Sequence, residues 1–73
     1  MPKLRVLSGA EVCQILAANG FVGIRQRGDH MVMQRTLEAT TITLPVPLHK
    51  ELARGTLVAI IRQSGLPRNN FEV

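Results

Sequence analysis

Arg25-Gln26-Arg27-Gly28-Asp29-His30-Met31-Val32-Met33 sets the fold, because it places a two-residue turn signal between two stretches of alternating character. Glycine supplies the positive φ that a primed turn requires, so Gly28-Asp29 predicts an antiparallel hairpin. The loop length also predicts the register. Arg27 falls opposite His30, Gln26 opposite Met31, Arg25 opposite Val32, Ile24 opposite Met33 and Val22 opposite Arg35. Alternation along each strand then sorts the side chains by face. Val22, Ile24, Met31 and Met33 form an apolar set suited to lying under helices. Arg25, Arg27, His30, Val32 and Gln34 take the other face.

The same period of two predicts strands over 21–27, 31–35 and 40–44, with a longer connection around Leu37-Glu38-Ala39. In the third strand Ile42 and Leu44 join the apolar face, while Thr41 and Thr43 join the basic one. Pro45-Val46-Pro47 is expected to end that strand, since proline cannot donate to a ladder. Upstream, Ser8-Gly9-Ala10-Glu11 has the form of a capping box. Val12, Ile15 and Leu16 follow at helical spacing and Gly20 is a left-handed stop, so a first helix spans 9–19. Downstream, residues 50–54 suit a short turn and Thr56 suits an N-cap. Leu57, Val58, Ile60 and Ile61 give the second helix its apolar face, and Gly65 closes it. The tail has room for one more turn that packs Phe71. The order is α-β-β-β-α. The expected class is α+β, with helices covering one face of a three-stranded antiparallel sheet.

Seventy-three residues make one small domain, residues 1–73. A chain of this size buries only about 60% of its unfolded surface, so its core is thin. With 45% apolar and 19% charged residues it still falls outside the disordered class. Cys13 is the one cysteine, which excludes an internal disulfide and a multi-cysteine zinc site. Its place in a helical pattern suits a small buried hydrophobe, and the low cysteine usage suits a reducing compartment such as the cytoplasm. No apolar run approaches the ~20 residues of a spanning helix and no signal-peptide core is evident, so no membrane association is expected.

Nine Lys and Arg against five acids give a formal charge of +4, which points to an anionic partner: RNA, DNA or an acidic protein. Two Phe without Tyr or Trp argue against a base-stacking sheet. The Arg25, Arg27, Thr41 and Thr43 face suits a phosphate backbone, with planar guanidinium forks beside neutral hydroxyl donors. Histidine titrates near neutral pH and can take or give a proton at a reacting oxygen. On the residues alone, His30 is either a solvated hairpin residue or such a group. His49, after Pro47-Leu48, suits a loop. The two histidines, one cysteine and five acids show no metal-ligand spacing, and neither a Gly-rich phosphate loop nor a Ser/His/Asp set occurs, so no cofactor is expected.

The pieces also fit a known pattern in order and spacing. They are Asn19-Gly20-Phe21 after a capped helix, Arg25-Gln26-Arg27-Gly28-Asp29-His30, Thr41-Ile42-Thr43-Leu44-Pro45-Val46-Pro47, His49-Lys50-Glu51-Leu52, Gly55-Thr56-Leu57 and Ile60-Ile61-Arg62-Gln63-Ser64-Gly65. Over nearly the whole chain this resembles the HicA family of bacterial toxins, which form toxin–antitoxin pairs with HicB. The resemblance implies a double-stranded-RNA-binding-like fold and an endoribonuclease that cleaves mRNA and arrests translation. It implies a HicB-type antitoxin as partner, and leaves the oligomeric state open. The family's catalytic histidine maps onto His30 and its motif glycine onto Gly28. Asp29 departs from the pattern, standing where the family usually has serine. A carboxylate there favours the imidazolium of His30 and repels an incoming phosphate.

The chemistry expected from this is metal-independent transesterification. His30 acts on the ribose 2′-OH or the leaving 5′-oxygen, while Arg25 and Arg27 steady the phosphate. Two other classes need no catalysis: a double-stranded-RNA-binding module using the same basic face, and an adaptor whose only partner is an acidic protein.

Overall fold

The computed structural model describes residues 2–73. Its elements are α1 (Gly9–Ala18), β1 (Val22–Arg27), β2 (His30–Thr36), β3 (Thr41–Pro47) and α2 (Arg54–Ser64), followed by a 3-10 turn over Arg68–Phe71. The three strands form one antiparallel sheet in the order β1-β2-β3. This is the predicted α+β arrangement.

α1 begins as its capping box requires. The Ser8 hydroxyl accepts from the Glu11 amide at 3.1 Å, and the Glu11 carboxylate accepts from the Ser8 amide at 2.8 Å. The helix is one residue shorter than predicted, because Asn19 leaves the helical conformation as its C-cap. Gly20 follows at φ 93°, a conformation that side chains disfavour. The hairpin turn places Gly28 at φ 60° while Asp29 keeps negative φ, the glycine-first form of a primed turn.

The register confirms the first three pairs of the hairpin and corrects the rest. Arg27 meets His30, Gln26 meets Met31 and Arg25 meets Val32, but then Gly23 meets Met33 and Val22 meets Gln34. Ile24 is the extra residue of a β-bulge. Beyond it the alternation reverses, so Val22 and Ile24 do not face the helices and are 62% and 43% exposed. Gly23 takes the inward place instead; a Cβ there would approach the Met31 and Met33 sulfurs at 3.2 and 3.6 Å. The first strand also begins at Val22, since Phe21 turns into the core.

The third strand starts at Thr41 and continues through Pro47, three residues past its predicted end. Its parity explains how it tolerates two prolines. Leu48 N–H donates to the Asp29 carbonyl at 2.6 Å, so even-numbered residues present N–H to β2. Odd-numbered ones, Pro45 and Pro47 among them, present nitrogen to the open edge, where no ladder bond is lost. In place of the predicted cap at Thr56, α2 begins at Arg54, with Ala53 as an N-cap that offers no side-chain bond. Residues 50 and 51 bend ahead of it, and Gly65 ends the helix at φ 72° as predicted.

One apolar cluster joins the layers. Val12 and Leu16 of α1 and Leu57, Ile60 and Ile61 of α2 meet Met33, Leu44 and Val46 on one face of the sheet. Leu7, Phe21, Leu52 and Phe71 close the cluster from the connections. Each such side chain contributes about 1.5–3 kcal/mol relative to exposure. Cys13 lies half-buried against this cluster, and burial pushes its thiol up from the ordinary value. The ends of the chain pair with each other. Arg5 N–H donates to the Phe71 carbonyl at 2.8 Å and Val73 N–H to the Lys3 carbonyl at 2.8 Å. The tail turn therefore packs Phe71, as predicted, in a fully buried position. Among the described residues no helix is long and apolar enough to cross a membrane.

Candidate functional site

The hairpin turn presents Asp29 and His30 together. Asp29 Oδ1 lies 2.8 Å from His30 Nδ1, and Asp29 Oδ2 lies 3.2 Å from His49 Nε2. One carboxylate thus spans two imidazoles that stand 19 residues apart in sequence. The His49 hydrogen bond holds the Asp29 carboxyl below its ordinary value; desolvation opposes it, and the His30 charge adds a lesser lowering effect. With both oxygens engaged by histidines, its repulsion of a phosphate is partly offset.

Backbone contacts fix this grouping. His30 is registered opposite Pro47, two residues before His49. The Leu48 bond to the Asp29 carbonyl ties the segment after β3 to the hairpin turn. Gly9 N–H donates to the His49 carbonyl at 2.9 Å, which ties the same segment to the start of α1. Gly9 is buried there because no side chain fits. A Cβ would be driven into the Pro47 carbonyl oxygen, with Leu48 Cα only 2.8 Å away.

The predicted basic face forms, with one part altered. Arg25 pairs with Val32 and Arg27 with His30, so both arginines share the outward face with His30. Both are exposed, and among the described residues neither is held by a carboxylate. Thr41 and Thr43 are exposed on β3, and Thr43 Oγ1 accepts from Gln34 Nε2 at 3.1 Å. The bulge adds Val22 to this face opposite Gln34, giving its far end an apolar margin. Gly28 serves through its φ alone; nothing lies within 4 Å of where its Cβ would stand.

His30 also borders a cavity that sequence gave no sign of. α2 lies over β3, and its Gly55, Thr56, Ala59, Ile60 and Gln63 face His30, Pro45 and Pro47 across a concavity of about 390 Å³. The walls are mostly apolar, with the Thr56 hydroxyl and Gln63 amide as polar points. Sequence also missed the part taken by His49. Its proximity to Asp29 depends on β3 running to Pro47, and the Pro45-Val46-Pro47 stretch concealed that.

A turn-borne histidine oriented by a carboxylate, with exposed arginines on its face and a cavity at its side, puts a proton-transfer group next to anion-binding donors. No curated protein matches the chain. A family model described as the HicA toxin of bacterial toxin–antitoxin matches residues 9–66, from the first residue of α1 to just past the glycine that ends α2. That span holds the hairpin, both histidines and the whole sheet, and the chain belongs to the HicA toxin family.

Proposed function

We propose that this toxin is an endoribonuclease that cleaves mRNA by transesterification, with His30 as a proton-transfer group and a HicB-type antitoxin as its restraining partner. The observation that carries the reading is the 2.8 Å contact between Asp29 and His30 Nδ1. It orients the ring and leaves Nε2 as the nitrogen free to reach a ribose oxygen.

The reaction asks little more of the protein. As O2′ bonds phosphorus its proton passes to a base, and as the P–O5′ bond breaks the leaving oxygen takes a proton from an acid. His30 performs one of these transfers. Arg25 and Arg27 hold the non-bridging oxygens and stabilise the charge that builds on them in the transition state. Thr41 and Thr43 extend the backbone track, and Gly28 gives the turn that aims His30.

The cavity beside His30 favours unpaired RNA. A nucleotide next to the scissile phosphate can turn its base into a recess walled by Pro45, Pro47 and α2, whereas a duplex holds its bases stacked. Incubation of the protein with a long unstructured RNA in EDTA, and with a duplex of the same sequence, tests this. Cleavage of the first and not the second, lost in His30→Ala, is expected. Salt-sensitive retention of the duplex without cleavage of either RNA would instead identify the non-catalytic double-stranded-RNA-binding module. Neither retention nor cleavage would leave the adaptor.

A further inference from the structure

Transesterification at a ribose phosphate requires two proton movements, and His30 supplies only one. We infer that His49 supplies the other, making His30, Asp29 and His49 one working unit; this rests on the ribonuclease reading above. Both imidazoles bond the same carboxylate, at 2.8 Å from Oδ1 and 3.2 Å from Oδ2. His30 uses Nδ1 for that bond and His49 uses Nε2, so each ring keeps one nitrogen for substrate. The side chains are 45% and 57% exposed, which leaves both open to a bound phosphodiester.

His49 is not a wandering loop residue. Its carbonyl is bonded by Gly9, the amide before it is bonded to Asp29, and Pro47 is registered against His30. Three separate elements converge to hold its backbone beside the hairpin turn. Fixing a reacting group in this way lowers the barrier by removing its freedom before the reaction starts.

The steps balance without any further reactant. One imidazole begins neutral and the other protonated. The neutral ring takes the 2′-OH proton as the O2′–P bond forms. The protonated ring gives its proton to O5′ as the P–O5′ bond breaks. A 2′,3′-cyclic phosphate and a 5′-hydroxyl leave, the pair carries the same total charge as before, and Asp29 stabilises whichever ring is positive.

A sulfur-substituted RNA tests the assignment. Two substrates are compared: one all-oxygen, the other with sulfur at the bridging 5′ position of a single linkage, where a thiolate departs without a proton. His30→Ala and His49→Ala are each expected to slow the all-oxygen linkage by about 10²–10⁴-fold. One of the two, the variant lacking the acid, should regain nearly the wild-type rate on the sulfur linkage. His49→Gln, which keeps a donor for Asp29 but cannot carry the proton, should behave like His49→Ala. His49 variants that cleave the all-oxygen RNA at the wild-type rate overturn the inference. Equal slowing of both variants on both substrates overturns it too, as a loss of structure would produce. If the wild type cleaves neither substrate, the ribonuclease reading itself has failed; if His30→Ala cleaves both at the wild-type rate, the role given to His30 has failed.

Discussion

Gly9→Ala is the substitution whose effect the packing dictates most sharply. Gly9 opens α1, and it is buried against the chain just past β3. An alanine Cβ would collide with the Pro47 carbonyl oxygen, and it would stand 2.8 Å from both the Pro47 carbonyl carbon and Leu48 Cα. All three are backbone atoms, so no side-chain rotation relieves the clash; α1 or the 47–49 segment has to move. Overpacking of this kind costs typically about 1–3 kcal/mol. Alanine's better helix propensity offsets at most about 1 kcal/mol of that. Because the clash is with backbone the cost belongs in the upper part of that range, and a net loss of about 1–2 kcal/mol matters in a domain whose whole stability belongs near the lower end of about 5–15 kcal/mol. Urea unfolding followed by circular dichroism should show the midpoint falling by about 1–2 M if the slope is about 1 kcal/mol per M. The displaced segment carries His49, so RNA cleavage should fall even at temperatures where the variant is folded. An unchanged or raised midpoint would mean that helix propensity alone governs the position, and that α1 is not pressed onto Pro47 and Leu48.

Other consequences follow from single contacts. Phe71→Ala should cost about 3–5 kcal/mol, seen as a large drop in the unfolding midpoint, since Phe71 is fully buried although it lies beyond the span of the family match. Ser8→Ala should cost about 1 kcal/mol by removing the hydroxyl that caps the Glu11 amide. Asp29 is held below its ordinary value of 3.8 by His49 and His30, and Glu11 below 4.5 by the Ser8 amide and then the Ser8 hydroxyl. A carboxyl depressed on folding contributes stability above its unfolded value, and that contribution is lost as pH falls through the folded value. Thermal melts of Asp29→Asn and Glu11→Gln should therefore lose part of the decline below pH ~4.5 that the wild type shows. An acid limb as steep as the wild type's in both variants would count against these pairings.

What could be read from sequence was whatever local chemistry determines. The capping box at Ser8 and Glu11, the stops at Gly20 and Gly65 and the Gly28-Asp29 turn each act within a few residues, and each stands where predicted. The bulge at Ile24 escaped because a two-residue loop fixes register only until a strand gains a residue; Gly23, weak in a strand, was the one available hint. Pro45 and Pro47 misled because the cost of a strand proline depends on which way its nitrogen points, and that depends on the partner strand. Thr56 was a better cap than Ala53 by propensity, yet α2 starts at Arg54, with Leu57 N–H donating to the Ala53 carbonyl at 3.0 Å. Of the site, His30, Arg25 and Arg27 were placed together by alternation alone. His49 and the cavity under α2 were not, because both arise from contacts between distant segments.

Everything proposed for the site turns on whether His30 moves a proton in RNA cleavage. The most direct measurement compares initial cleavage rates of wild type and His30→Ala on one unstructured RNA, with matched circular dichroism and with cyclic phosphate ends quantified. If His30 does so, the rate falls by about 10²–10⁴-fold at unchanged fold, with 2′,3′-cyclic phosphate as the wild-type product. A folded His30→Ala that cleaves at the wild-type rate would contradict it.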